Sequence, residues 1–182
     1  MLEEARMLVR YTQWANHRLY AALAQLAEEE RAKPRPTVFG SLLGTLDHSL
    51  VIALVFQAHL LGRPHGFQAR RSASLPSLAA LWRRQREVDQ WFIDYSDVLT
   101  PEQWRQLVDF SFIGGGEGRM TRGRMLLHVI NHTTFHRGFV ADLFCQIPAV
   151  PPVTDLTVFL RDAAPVRADI QAGSPDQSPV WR

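Results

Sequence analysis

Residues 38–61 are apolar almost all the way round a helix, and this feature constrains the fold more than any other in the sequence. The segment contains LLGTL, SLVIALVF and HLL, with few polar residues between them. A helix without a polar face has no side to offer to water, so other elements must cover it. We therefore expect it to be the central helix of an α-helical bundle.

Three further segments have the periodicity of long helices. Apolar residues recur at helical spacing in residues 2–27, 76–97 and about 121–147, the last ending before Pro148. TPEQW at 100–104 has Thr at an N-cap, Pro at the first helical position and Gln where a capping box requires it, which predicts a short helix. The expected architecture is all-α, with four principal helices.

The remaining segments are short or irregular. VDFSFIGGGEGRM (108–120) alternates apolar and polar residues before a glycine run, which indicates either a small hairpin or an irregular loop. Its glycines lack the Gly-Lys-Ser/Thr ending of a phosphate-binding loop. PPVTDLTVFL starts a short final helix. We expect one domain, residues 1–162, followed by a flexible tail, residues 163–182, rich in Pro, Ser, Gly and Asp.

The overall composition excludes several classes of partner and compartment. The 20 basic residues nearly balance the 18 acidic ones, and the arginines are scattered among the acids, so no nucleic-acid partner is expected. The longest apolar run, SLVIALVFQAHLL, is interrupted by Gln57 and His59, so no membrane partner is expected. The acidic N-terminus is unlike a signal peptide. A single cysteine, Cys145, excludes an internal disulfide framework and is typical of the cytoplasm.

The segment HVINHTTFHRG places His128, His132 and His136 four positions apart. Side chains four positions apart on an α-helix differ by only about 40° in direction around the helix axis, so the three imidazoles lie on one stripe. The stripe continues into apolar residues such as Val140 and Leu143. A lone histidine on such a face is usually a hydrogen-bonded core residue. Three neighbouring histidines cost free energy to bury without partners and also to protonate together. A divalent cation that accepts their lone pairs removes both costs.

A third ligand is expected from the central helix. Two histidines at i and i+4 alone are only weak evidence for a metal site. His48, however, lies on an apolar stripe of residues 38–61, where burying an imidazole without a partner is just as costly. His59 shares that stripe but lies about 16 Å further along the axis, too far to share an ion. His17 is predicted near solvent and His65 in a turn. Cys145 is on the opposite side from the stripe and is expected to be a small buried residue.

Three stretches of the chain also carry a family resemblance: YTQWANHRLYAAL, LLGTLDHSLVIALVFQAHLLGRP and TRGRMLLHVINHTTFHRGFVADLF. Together they resemble the DinB/YfiT-like family of bacterial damage-inducible proteins, which is distinct from the DNA polymerase that shares the name. The resemblance covers about residues 5–160, and HVINHTTFHRG is its most specific part.

The resemblance implies a four-helix bundle, commonly dimeric, that holds a divalent metal on three histidines. The family pattern maps onto His48, His132 and His136, with His128 behind the ligands or lining the pocket. Where the family often has Gln, this chain has Phe139, so no polar role is expected there. Known members include thiol-dependent S-transferases and an isomerase that use low-molecular-weight thiols.

These observations lead to two hypotheses about function. Three histidines leave one position open on a tetrahedral ion, whereas structural zinc sites are usually closed by four protein ligands. The leading hypothesis is therefore a metal-dependent enzyme, a thiol S-transferase or a hydrolase acting on a small molecule, with a low-molecular-weight thiol as co-substrate in the first case. The alternative is a non-catalytic stress-response protein with a structural metal. Zinc and nickel are the first choices of ion, and manganese and iron also suit histidine ligands.

Overall fold

The structure, a computed structural model, describes residues 1–163. Helices predominate in this part of the chain, with one two-stranded sheet. The elements in order are α1 (Leu2–Ala24), α2 (Glu28–Ala32), α3 (Leu42–Leu60), α4 (Leu78–Val98), α5 (Pro101–Arg105), β1 (Leu107–Ser111), β2 (Glu117–Thr121), α6 (Arg122–Phe144) and α7 (Leu156–Ala163). The four long helices α1, α3, α4 and α6 form the expected all-α bundle.

Helix α3 is the expected central helix and is buried along nearly its whole length. It begins at Leu42, later than expected, because Gly40 turns the chain with a φ of 78° and Ser41 caps the helix by accepting a hydrogen bond from the Gly44 N–H at 3.0 Å. By length and composition it could span a membrane, contrary to the expectation from its polar interruptions. However, 83% of its apolar window is buried inside the bundle, as in any core helix.

The four long helices pack against one another around a shared apolar core. Helix α1 lies against α4 and α6, and α3 lies against α6 and α4. The core includes large side chains from each of the four, among them Leu19, Leu50, Leu81 and Leu126, none more than 1% exposed. Removing this apolar surface from water is the main stabilising contribution, at roughly 25 cal/mol for each Å² buried.

The smaller elements pack against the long helices. Helix α5 has the predicted capping box between Thr100 and Gln103. Residues 107–121 form the hairpin, one of the two alternatives that the sequence left open, with Phe110 opposite Gly118 in an antiparallel register. Its turn, residues 114–116, has three glycines with φ between 91° and 100°, a region that other residues rarely adopt. Phe159 of α7 packs against the α1 aromatics Tyr11 and Trp14.

The structure differs from the sequence-based expectations in two details. Helix α2 forms directly after the expected end of the first helix at residue 27, in a segment for which the sequence predicted no helix. Helix α6 stops at Phe144, three residues early, and Cys145 is its exposed C-cap, so the prediction of a buried cysteine was wrong. The periodicity did not reveal that Cys145 is exposed, one position after the buried Phe144. The predicted tail lies outside the described residues, apart from Ala163, which ends α7.

Candidate metal centre

The fold brings His48 of α3 and His132 and His136 of α6 together. One ring nitrogen from each of the three lies within 4.8 Å of the other two. The Nε2 atoms of His132 and His136 are 3.1 Å apart, because residues four apart on a helix lie on the same face. Two nitrogens bound tetrahedrally to one zinc ion, at about 2.0–2.1 Å each, are about 3.3 Å apart, so this pair fits an ion with little movement.

His48 is held in the orientation that such a site requires. Its Nδ1 lies 2.7 Å from the carbonyl oxygen of Arg70 and donates a hydrogen bond to it, which leaves the lone pair on Nε2. The ring of Phe39 stacks on the His48 ring, with centroids 3.9 Å apart and planes 12° apart, and meets His136 edge-on. Phe39 lies in the loop before α3, and the sequence analysis missed its role, since no motif marks it.

Burial keeps the three imidazoles neutral and therefore able to bind a cation. Removal from water lowers the pKa of His132 to about 3, with the neighbouring rings of His136, His48 and His128 adding to the effect. Burial and the proximity of His48 lower the pKa of His136 to about 4, and burial also lowers that of His48. His136 Nδ1 is buried without a hydrogen-bond partner among residues 1–163. Three neutral imidazoles at close range, one of them with an unpaired buried nitrogen, suit a divalent cation.

The other histidines are not part of this three-nitrogen group. His128 lies one turn before His132, with ring centroids 5.7 Å apart, and contacts Phe56, but it is outside the three-nitrogen group. His59 is also outside this group, and its Nε2 donates to the Ser111 carbonyl at 3.1 Å. His17 is exposed on α1.

A cavity of about 370 Å³ opens beside the three-histidine group. His48, His132 and His128 form one side of it, and Arg70 also lines it. The remaining walls are mostly apolar and come from α3 and from the hairpin: Ile52, Val55, Phe56, Phe110, Phe112, Ile113 and Met120. No carboxylate lines the cavity among the described residues. The site therefore combines neutral nitrogen ligands with an adjoining apolar space, the combination typical of a small-molecule site.

The fold agrees with the comparisons with known proteins. The model of the DinB family matches residues 1–171. This chain belongs to the DinB family. Protein DinB of Bacillus subtilis (strain 168) is 26% identical over 171 residues, which cover 88% of this chain and 95% of that protein. The crystal structure of a DinB-like protein from Bacillus cereus ATCC 10987 has a TM-score of 0.58 at 19% identity, covering 80% of this chain and 94% of that one, and so shows the same fold.

Behind the histidines, this DinB-family chain has a buried polar network that the sequence analysis missed. Arg137 follows His136 on α6 and lies inside the bundle, only 5% exposed. Its Nη1 donates to the Asn16 side-chain oxygen at 3.3 Å, and Asn16 Nδ2 donates to the Asp89 carboxylate at 2.9 Å. Its guanidinium also lies over the ring of Tyr11 of α1, 5.1 Å from the ring centroid. The network joins α1, α4 and α6 next to His136.

Proposed function

We propose that this chain binds one divalent metal ion through His48, His132 and His136 and is a metal-dependent enzyme. The observation that carries the proposal is that ring nitrogens from two helices converge within 4.8 Å beside a cavity. The reaction that we propose is thiol S-transfer or hydrolysis on a small molecule, with a low-molecular-weight thiol as co-substrate for the transfer. Zinc and nickel are the preferred ions, and manganese and iron follow.

Each residue would have its own role at such a site. His48, His132 and His136 hold the ion, the Arg70 carbonyl fixes the tautomer of His48, and Phe39 fixes the plane of its ring. Three protein ligands leave a coordination position for a small molecule, and an ion held this way lowers the pKa of a water or thiol that binds it. His128 and the mostly apolar walls shape the space that a bound molecule would occupy.

The location of the three histidines also favours a second function, a structural metal. An ion bound by His48 and His132 would tie α3 to α6, and a non-catalytic stress-response protein could use it in that way. We prefer the enzyme because α3 and α6 already share a continuous apolar core, with Leu50, Leu126 and Met125 each no more than 1% exposed. A helix pair packed this well does not need an ion to hold it together.

The proposal also covers the expected partners and compartment. We propose a cytoplasmic homodimer that acts on a small molecule and has neither nucleic-acid nor membrane partners. Exposed aromatic side chains would favour a dimer surface, but Trp82, Trp91 and Trp104 are half-buried against the core, so they add no support for the dimer. Sedimentation of the full chain tests the dimer, and a DNA retardation assay at low salt tests the expected absence of DNA binding.

The direct test of the metal site is the metal content of the protein purified without added metal. We expect about one ion for each chain, retained or restored by Zn²⁺ or Ni²⁺. His132→Gln removes one ligand and should weaken Zn²⁺ binding on the order of 100-fold or more in calorimetry. The matched control His17→Gln removes an exposed histidine of α1 and should leave binding unchanged. A wild-type protein that neither retains nor regains an ion refutes the proposal.

Chelation separates the two candidate functions. After removal of the ion, we expect the circular dichroism spectrum to stay helical, because the apolar core is intact, while activity toward a small-molecule substrate is lost. A structural ion would take the fold with it, since its binding free energy is then part of the folding free energy. Loss of the helical spectrum on chelation would therefore favour the structural alternative.

A further inference from the structure

The cavity beside the three histidines has a positive charge at its wall and no negative one. Of the residues that line it, Arg70 is the one with a fixed charge, and no Asp or Glu is among them within the described chain. The Arg70 side chain is exposed and takes part in none of the ion pairs formed by residues 1–163. Its guanidinium is therefore free to pair with a ligand, and carboxylates match the geometry of that fork.

The other walls of the cavity are apolar and favour an apolar part of a ligand. Ile52, Val55 and Phe56 come from one face of α3, and the hairpin adds Phe110 and Met120. Such walls offer dispersion and apolar burial but few hydrogen bonds, so the body of a ligand that fills about 370 Å³ is apolar. The polar part of the ligand has to lie toward Arg70 and the histidines.

The charge of a metal ion bound at this site would also favour a negatively charged ligand. Three neutral imidazoles contribute no negative charge, so an ion bound by them keeps its full double charge, in contrast to sites that include a carboxylate ligand. Arg70 adds a further positive charge beside His48. The Asp47 carboxylate also acts on His48, but it accepts hydrogen bonds from the Ser72 N–H and Oγ and does not line the cavity. Because low dielectric strengthens electrostatic attraction in a partly enclosed space, the cavity favours an anion over a neutral or cationic molecule.

We infer that the cavity binds a small organic carboxylate with an apolar body, and that Arg70 pairs with the carboxylate while the α3 and hairpin side chains cover the body. The inference rests on the proposed function for the place of the reaction and names its substrate class. It makes Arg70 a specificity-determining residue, one whose backbone carbonyl orients His48 and whose side chain selects the ligand.

The test uses calorimetric titration of the full chain with 3-phenylpropanoate, with the neutral 3-phenylpropan-1-ol and with acetate. We expect the first to bind at least tenfold more tightly than the alcohol, which lacks the charge, and than acetate, which lacks the apolar body. Arg70→Gln should remove most of the preference for the acid over the alcohol. The matched control Arg71→Gln changes the neighbouring exposed arginine, which does not line the cavity, and should keep that preference.

Each titration is done with chelator-treated protein and with Zn²⁺-loaded protein, so that the two proposals can fail separately. An Arg70-dependent preference in the chelated protein supports the inference even if the chain proves to hold no metal. Acid binding that needs Zn²⁺ and is unchanged in Arg70→Gln places the anion on the ion and overturns the inference, while the metal site stands. Equal affinity for acid and alcohol, or no binding of the acid, also overturns it.

Discussion

Asp89 is the buried acid of the network behind the metal centre, and its pKa gives a stability prediction of definite sign. The side chain is 5% exposed and accepts hydrogen bonds from Asn16 Nδ2 at 2.9 Å and Gln85 Nε2 at 2.8 Å. Burial raises its pKa from 3.8 to about 6, against the lowering effect of Asn16, Gln85 and the more distant charge of Arg137. The folded state therefore favours the protonated acid more than the unfolded state does.

The magnitude follows from the shift itself. Between 3.8 and about 6, the change in pKa corresponds to about 3 kcal/mol at 1.36 kcal/mol for each unit. Because the folded-state pKa is raised, this stabilisation is fully present below about 3.8 and is lost as the pH rises through about 6. The linkage between proton binding and unfolding predicts that about 2 kcal/mol of this stabilisation is lost between about pH 4.5 and 7.5.

The perturbation is Asp89→Asn, which removes the titration and keeps the shape of the side chain. The Gln85 amide can turn to present its oxygen to the new NH₂ group. Urea unfolding at a series of pH values should show that the stability of the wild type relative to the variant falls by about 2 kcal/mol from about pH 4.5 to 7.5. The buried histidines titrate in both proteins, so their contribution cancels from the difference. Asp94→Asn, an exposed acid on the same helix, is the matched control and should show no such trend.

A flat difference between wild type and Asp89→Asn over this range would refute the reasoning. It would mean that Asp89 stays ionised in the folded protein, paired through Asn16 with Arg137 more strongly than its burial disfavours the charge. A difference that grows with pH would have the wrong sign and would refute it more directly.

Two further predictions concern α6. Gly123→Ala places a Cβ against the ring of Trp104 and should destabilise the protein by about 1–3 kcal/mol, whereas Gly138→Ala, with nothing within 4 Å of its Cβ, should stabilise it by about 0.5–1 kcal/mol. Urea midpoints test both, and equal effects at the two sites would contradict the packing of α5 on α6. Cys145 should react fully with a thiol reagent in the native protein; a reaction that requires denaturant would show it to be buried.

The architecture and the identity of the clustered histidines followed from local pattern. Residues 38–61 lack a polar face, which requires a central position whatever the details of packing. Spacing of four places His132 and His136 on one stripe in any α-helix, and the apolar surroundings of His48 mark it as the histidine that faces them. These properties depend on helical period and on the cost of burying polar groups, both of which a single sequence reveals.

Only the tertiary structure decided what surrounds those histidines. The Phe39 stack on His48, the free guanidinium of Arg70 at the cavity wall, and the Arg137–Asn16–Asp89 network all join residues distant in the chain. No periodicity encodes such contacts, because they depend on the relative rotation and offset of packed helices and on the paths of loops between them. The helical period of this sequence selected the residues of the site, and the packing of the helices determined its shape and its charge.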